Sequence, residues 1–341
     1  TRARDVANST TALSVDGTVK LDGNYPVGTD NVALGDTALD TTTGSYNTAI
    51  GSKALTANTS GITNSALGVQ ALETNTTGSN NTSMGGSSLR YNTTGASNTA
   101  MGRDALRLNT TASSNTAVGF EASYFNTTGD NNATLGSSAG KNNTTGQHNT
   151  SIGQSAGRAT NEGSYNVAVG SEALRTNTTA SYNTAVGYRA GYSSTTGTHL
   201  VAVGREALVS NTTGSLNSAV GQRAMRFNTT GASNVALGYD ALYNNTTASN
   251  NTAAGYQAGY ANTTGFNNTF IGKSAGVGVT TGNANTIIGD SAGFNITTSD
   301  DNTFVGRSCG QYMSSGQKNT ILGRYNGNQG GLDIRTSSNN I

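Results

Sequence analysis

The sequence predicts an all-β protein, a parallel β-solenoid (β-roll) of eighteen coils with a 17-residue repeat. Three observations carry that expectation: a glycine at constant spacing, columns of equivalent residues that keep one character, and a unit too short for helices. The glycine stands at Gly35, Gly51 and Gly68 and then at every seventeenth residue to Gly323, only the first interval being 16. Such a register tolerates no insertion or deletion, as stacking of each coil on the next requires. The 11% charged content with abundant Asn, Thr, Ser and Gly would otherwise suit a disordered segment, but disorder has no need of a period. Helical solenoids use repeats of about 33 residues or more, whereas Thr and Val here favour short strands and Gly and Asn favour turns. At a coil spacing of ~4.8 Å the steps from Gly35 to Gly323 make a rod roughly 80 Å long.

Taken in order, residues 1–30 precede the period and read as an N-terminal connector, in which Leu13, Val15, Val19 and Leu21 alternate around Asp16-Gly17 as a hairpin would. The repeat domain spans 31–326, each unit reading Asn-Thr-Ala-aliphatic-Gly-x-x-Ala-(Leu/Gly)-x-x-Asn-Thr-Thr-Gly-x-x. The aliphatic column just before the marker glycine, from Leu34 and Ile50 through Val118 and Val186 to Leu322, is expected to line the core, together with the Ala column three residues after it. Glycine is never replaced at the marker, which predicts a positive φ or a site without room for a Cβ. The Asn column opening the unit is expected to hydrogen-bond up and down the rod as a ladder. Asn75, Asn92 and Asn109 of the second Asn column also match a glycosylation sequon, and the ladder is the preferred reading. Charges gather at the first, second and fifth positions after the glycine, as at Arg103, Asp104 and Arg107, and predict an outer ridge. Residues 327–341 form a C-terminal transition segment ending in the strand-like run Leu332–Arg335, and the absence of a capping pattern there predicts that the natural polypeptide continues.

By strand alternation the column two before the marker glycine points away from the aliphatic column. It is small in most coils, as at Ala33, Ala49 and Ala117, and becomes Phe270, Ile287, Phe304 and Ile321 in the last four. Large apolar residues in a column expected to lie outside the core predict an interface between chains, and with it a homotrimer packed side by side around a common axis.

Composition excludes several classes of function. With 19 basic against 18 acidic residues the chain lacks the electrostatic footprint of a nucleic-acid binder. No stretch approaches the ~20 apolar residues of a membrane span, so membrane insertion is not expected. Catalysis requires convergent titratable groups, and the two histidines, His148 and His199, sit three coils apart in one turn column, roughly 14 Å by the same spacing. Cys309 stands in the small Ala column and reads as a buried thiol. Gly85-Gly86 lacks the Lys and context of a phosphate loop. No cofactor, metal or enzymatic activity is expected. The one surface feature that suggests a ligand is a set of aromatic pairs four residues apart: Phe120 with Tyr124, Tyr188 with Tyr192, Tyr239 with Tyr243, and Tyr256 with Tyr260. They are candidates for stacking on sugar rings, or else they shield the coil edge.

The unit Asn115-Thr116-Ala117-Val118-Gly119-Phe120-Glu121-Ala122 resembles the head repeats of trimeric autotransporter adhesins, over about Asn31 to Gly323 and with a unit a few residues longer. Thr1-Arg2-Ala3-Arg4-Asp5-Val6-Ala7, Thr11–Val19 and Gly331-Leu332-Asp333-Ile334-Arg335 are similar to bacteriophage tail fibres, especially those of marine and cyanobacterial phages. The resemblance implies a left-handed, trimeric roll. It further implies a structural or adhesive fibre, first of all the shaft of a phage tail fibre in the virion, meeting host-surface polysaccharide. A bacterial adhesin head on the cell surface is the alternative. A third reading, an ice-binding solenoid, is disfavoured by the lack of an unambiguous Thr-x-Thr pair on one face.

Overall fold

The computed structural model describes residues 28–324 and 338–339. The hairpin expected around Asp16-Gly17 and the run Leu332–Arg335 lie outside them. The described residues hold eighteen three-residue strands and no helix. β1 (Val32–Leu34) and β2 (Thr48–Ile50) are followed by one strand every 17 residues, through β15 (Thr269–Ile271) and β17 (Thr303–Val305) to β18 (Thr320–Leu322). Each pairs in parallel and in register with the next along the chain, so Ala49 stands beside Ala66 and Ile50 beside Leu67. The columns of the repeat are therefore physical columns running along one 18-stranded sheet, and the expected β-solenoid is the observed fold.

The marker glycines close each strand with φ between 126° and 141° from Gly35 to Gly306. A Cβ on Gly102 would lie 2.6 Å from the carbonyl oxygen of Gly119 in the next coil. Positive φ and crowding thus both exclude a side chain there. Less readable are further left-handed positions, two or three per coil, that carry ordinary side chains, for example Tyr46 (φ 61°), Lys53 (φ 61°) and Leu55 (φ 51°). Each costs about 1–2 kcal/mol in a non-glycine residue. Bonds to the neighbouring coils hold them, Lys53 N–H donating to the carbonyl of Asp36 at 2.8 Å and Leu55 N–H to that of Ala71 at 3.0 Å.

Strand faces differ from the sequence expectation. The inward residue is the middle one, and Ala49, Ala100, Ala117 and Ala185 are fully buried. The aliphatic column faces outward instead, with Leu34, Leu67 and Leu322 exposed by 54%, 45% and 71%. The cause is volume. Leu55, Leu72, Leu106 and Leu174, four residues after the marker, fill the interior from the opposite wall and leave only Ala-sized room on the strand. In the last coils that wall becomes Gly259, Gly276, Gly293 and Gly310, and large residues enter from the strand side. Phe270, Ile287, Phe304 and Ile321 are consequently core residues, 0%, 0%, 0% and 6% exposed, and not the interchain seam expected for them. A Cβ on Gly259 would come within 2.5 Å of the Phe270 ring, and one on Gly310 within 2.9 Å of Phe304.

Both Asn columns form ladders. In the first, Asn64 donates its backbone N–H to Oδ1 of Asn47 at 2.9 Å and its amide to the carbonyl of Gly78 at 2.9 Å. In the second, Asn75 Nδ2 donates to Asn58 Oδ1 and Asn92 Nδ2 to Asn75 Oδ1, at 2.9 and 2.7 Å. Asn75, Asn92 and Asn109 are fully buried, so the nitrogen a glycan would need is enclosed and committed to the ladder. Where the next coil lacks Asn, the last Oδ1 loses its donor: Asn143 precedes Thr160, Asn177 precedes Ser194 and Asn262 precedes Val279, and all three oxygens are buried without a protein partner. The apolar core divides in the same region, one cluster ending at Ala122 and the next beginning at Ala156. Ser123, Thr134, Ser151 and Thr160 line a small cavity between them.

Candidate interaction surfaces

Two surfaces follow from this geometry. The first is the outer face of the sheet. Each strand presents its first and third residues outward, so Thr48 and Ile50, Thr99 and Met101, and Thr184 and Val186 form a Thr or small column beside an aliphatic column. No charged residue interrupts either column in the eighteen coils. Met84, Met101, Leu135, Ile152 and Ile271 are between 38% and 50% exposed, in a stripe roughly 80 Å long. Apolar surface this continuous exceeds what a soluble monomer normally shows.

The second surface is the ridge at the turn after each marker glycine. The aromatic pairs lie here as expected, the first member outermost (Phe120 47%, Tyr188 45%, Tyr239 38%, Tyr256 48% exposed) and the second, Tyr124, Tyr192, Tyr243 or Tyr260, half-buried. The ring faces are occupied. Tyr239 stacks on Tyr256 at 5.5 Å between centroids and Tyr243 on Tyr260 at 5.0 Å. The Arg189 guanidinium lies over both Tyr188 and Tyr192, and that of Arg223 over both Tyr239 and Tyr243. Arg107 and Arg226 donate to the Tyr124 and Tyr243 hydroxyls at 2.9 Å, and Arg175 donates to the Tyr192 hydroxyl. Cation–π contacts of this kind add about 0.5–1 kcal/mol each at exposed sites, so the ridge is a braced arginine–tyrosine array, and edges and hydroxyls are what the rings offer outward. Although desolvation acts against it, the Arg107 guanidinium is held above its ordinary value by Tyr124 and Asp104 and stays charged.

The histidine column holds a feature that sequence reasoning passed over. Tyr165 and Tyr182 occupy the two coils between His148 and His199, and the four rings stack in series at 4.8, 5.2 and 5.2 Å. The signal was available, since all four stand five residues before a marker glycine. Cys309 is buried as expected, its thiol donating to the Ile321 carbonyl at 3.1 Å. Among the described residues no three His, Cys, Asp or Glu side chains gather where a metal ion could be held, and no helix is long and apolar enough to cross a membrane. The chain matches no protein-family pattern and no curated protein.

Proposed function

We propose that this chain is the shaft of a structural and adhesive fibre, of the phage tail-fibre kind, built from three copies packed side by side through the outer face of the sheet. The observation that carries the reading is the uncharged Thr and aliphatic stripe running from Leu34 to Leu322. A thin rod has much surface for its volume, and a second copy offers the same repeat, hence the same spacing, along the full length of the stripe. The aliphatic column thereby takes the interchain role expected of Phe270, Ile287, Phe304 and Ile321. On this reading the work of the molecule is mechanical and recognitional, not catalytic, its place is the virion surface, and its external partner is host polysaccharide. A bacterial surface adhesin would use the same assembly, and a membrane anchor encoded in the full gene would distinguish it.

Sedimentation equilibrium at micromolar concentration tests the assembly. Three times the 34.5 kDa chain mass is expected, and a monomer overturns it. One specific observation favours a second reading. Thr and aliphatic columns lie together on one charge-free face, a regular array of the kind that orders water on an ice-binding surface. A monomer with thermal hysteresis would establish that alternative, because a face buried between copies is closed to ice.

A further inference from the structure

We propose that the ridge of the middle coils is a binding track for a linear anionic polysaccharide lying along the rod axis. This deepens the adhesive reading above and rests on it. Between Glu73 and Asp240 the chain carries ten Arg or Lys, all on the ridge, against six carboxylates there, since Asp130 and Glu162 of the same segment lie on another corner. The ridge is thus +4 (10 − 6) in a chain whose net charge is +1. The excess is ordered. Arg107, Tyr124, Lys141, Arg158, Arg175 and Tyr192 occupy one column in six consecutive coils, a cation or a phenol every ~4.8 Å.

Most of these cations have a local carboxylate: Lys141 pairs with Glu121 at 2.6 Å, and Arg175 lies 3.7 Å from Glu172. These side chains keep 19% to 31% exposure, and a polyanion can compete for such partly solvated pairs. Arg158 has no ion pair among the described residues, although its Nε is itself buried, without an acceptor in the protein. It sits between Lys141 and Arg175 at the centre of the track. Guanidinium groups bind carboxylate and sulfate through paired N–H donors, and the tyrosine hydroxyls beside them can bond sugar hydroxyls. Single-stranded nucleic acid would instead need free ring faces for its bases. Those faces are covered, Tyr124 by Arg107 and Lys141 and Tyr192 by Arg175 and Arg189.

Affinity electrophoresis of the full chain through gels containing alginate, dextran sulfate, neutral dextran or poly(dT) tests the proposal, with the sedimented mass measured on the same preparation. Retardation by alginate or dextran sulfate that fades with salt is expected, with none by neutral dextran. The K141Q/R158Q variant should bind alginate about tenfold more weakly or worse, a loss of about 1.4 kcal/mol or more. Gln154→Glu, at an exposed ridge position of the coil that carries Arg158, should also weaken binding, since Gln154 takes part in no existing ion pair. Equal retardation by neutral dextran, tighter binding of poly(dT) than of alginate, or wild-type affinity in either variant overturns the track. A trimeric mass alongside that result would leave the fibre reading standing, so the two failures are separable.

Discussion

Asn143 Oδ1 and Asn177 Oδ1 show how a ladder depends on its next rung. An Asn of the second column that follows another donates to the oxygen one coil earlier, so replacement by Thr160 or Ser194 orphans an acceptor, and Ser194 Oγ is itself buried without a protein partner. Thr160→Asn and Ser194→Asn should each supply the missing donor and stabilise the rod by about 1 kcal/mol, read as a raised midpoint in thermal or denaturant unfolding. Asn92→Ala should act the other way, by about 1–3 kcal/mol, because it removes both a donor to Asn75 and the acceptor of Asn109. Cys309 gives a pH signature at the same scale. Burial pushes its thiol up to about 11, against a smaller opposing hydrogen bond at Val305, while an unfolded thiol ionises near about 8.5. The raised value means the contribution is full below the unfolded value and is lost as pH rises toward about 11. Wild-type stability should therefore fall relative to Cys309→Ala across that alkaline window. Parallel melts at stepped pH would measure the difference, and a constant gap would contradict the assignment. The ladders and the buried thiol were legible in the sequence because each column shows itself by repetition alone.

The strand is where legibility failed, and the reason is its length. Three residues such as Thr48-Ala49-Ile50 hold a single inward position, and with Ala on one face and Ile on the other both parities look apolar. Size pointed to Ile as the core residue, yet the interior was already filled by Leu55 and Leu72 from the far wall. What would have resolved it is a relation between two columns, not a property of either. Large strand residues such as Phe270 and Phe304 occur where Gly276 and Gly310 follow six residues later, and small ones such as Ala66 and Ala100 where Leu72 and Leu106 do, with Ala185 before Gly191 and Ala253 before Gly259 as exceptions. Phe270→Ala should cost about 3–5 kcal/mol, as for other emptied cores. Adding Gly276→Leu should recover part of the loss by restoring the small-strand, large-wall arrangement of the earlier coils, a coupling that a double-mutant cycle measures. Independent, additive effects would contradict this account of the core. Marker position Gly170, whose added Cβ would lie 2.6 Å from the Gly187 carbonyl, has no such partner substitution, and Gly170→Ala should split the rod's cooperative unfolding into two transitions in calorimetry.

At the scale of the whole molecule the period set the architecture and left the surfaces to be read from which way each column points. On the proposed reading, the charge-free aliphatic face of the 18-strand sheet serves assembly and the arginine–tyrosine ridge serves recognition along the same rod. The ridge was visible in sequence as columns of charge and ring, whereas the bracing of Tyr188 and Tyr192 by a guanidinium depends on the left-handed turn that brings Arg189 over both. In the proposed fibre, copies meet through the sheet face. Oxidative cross-linking of Val186→Cys in a Cys309→Ala background tests it most directly, with Gln154→Cys on the ridge as the comparison. Side-by-side copies in register bring equivalent Val186 positions together, so rapid disulfide-linked dimers are predicted for the face and none for the ridge. Ridge cross-linking, or a Val186→Cys chain that remains single, would contradict it.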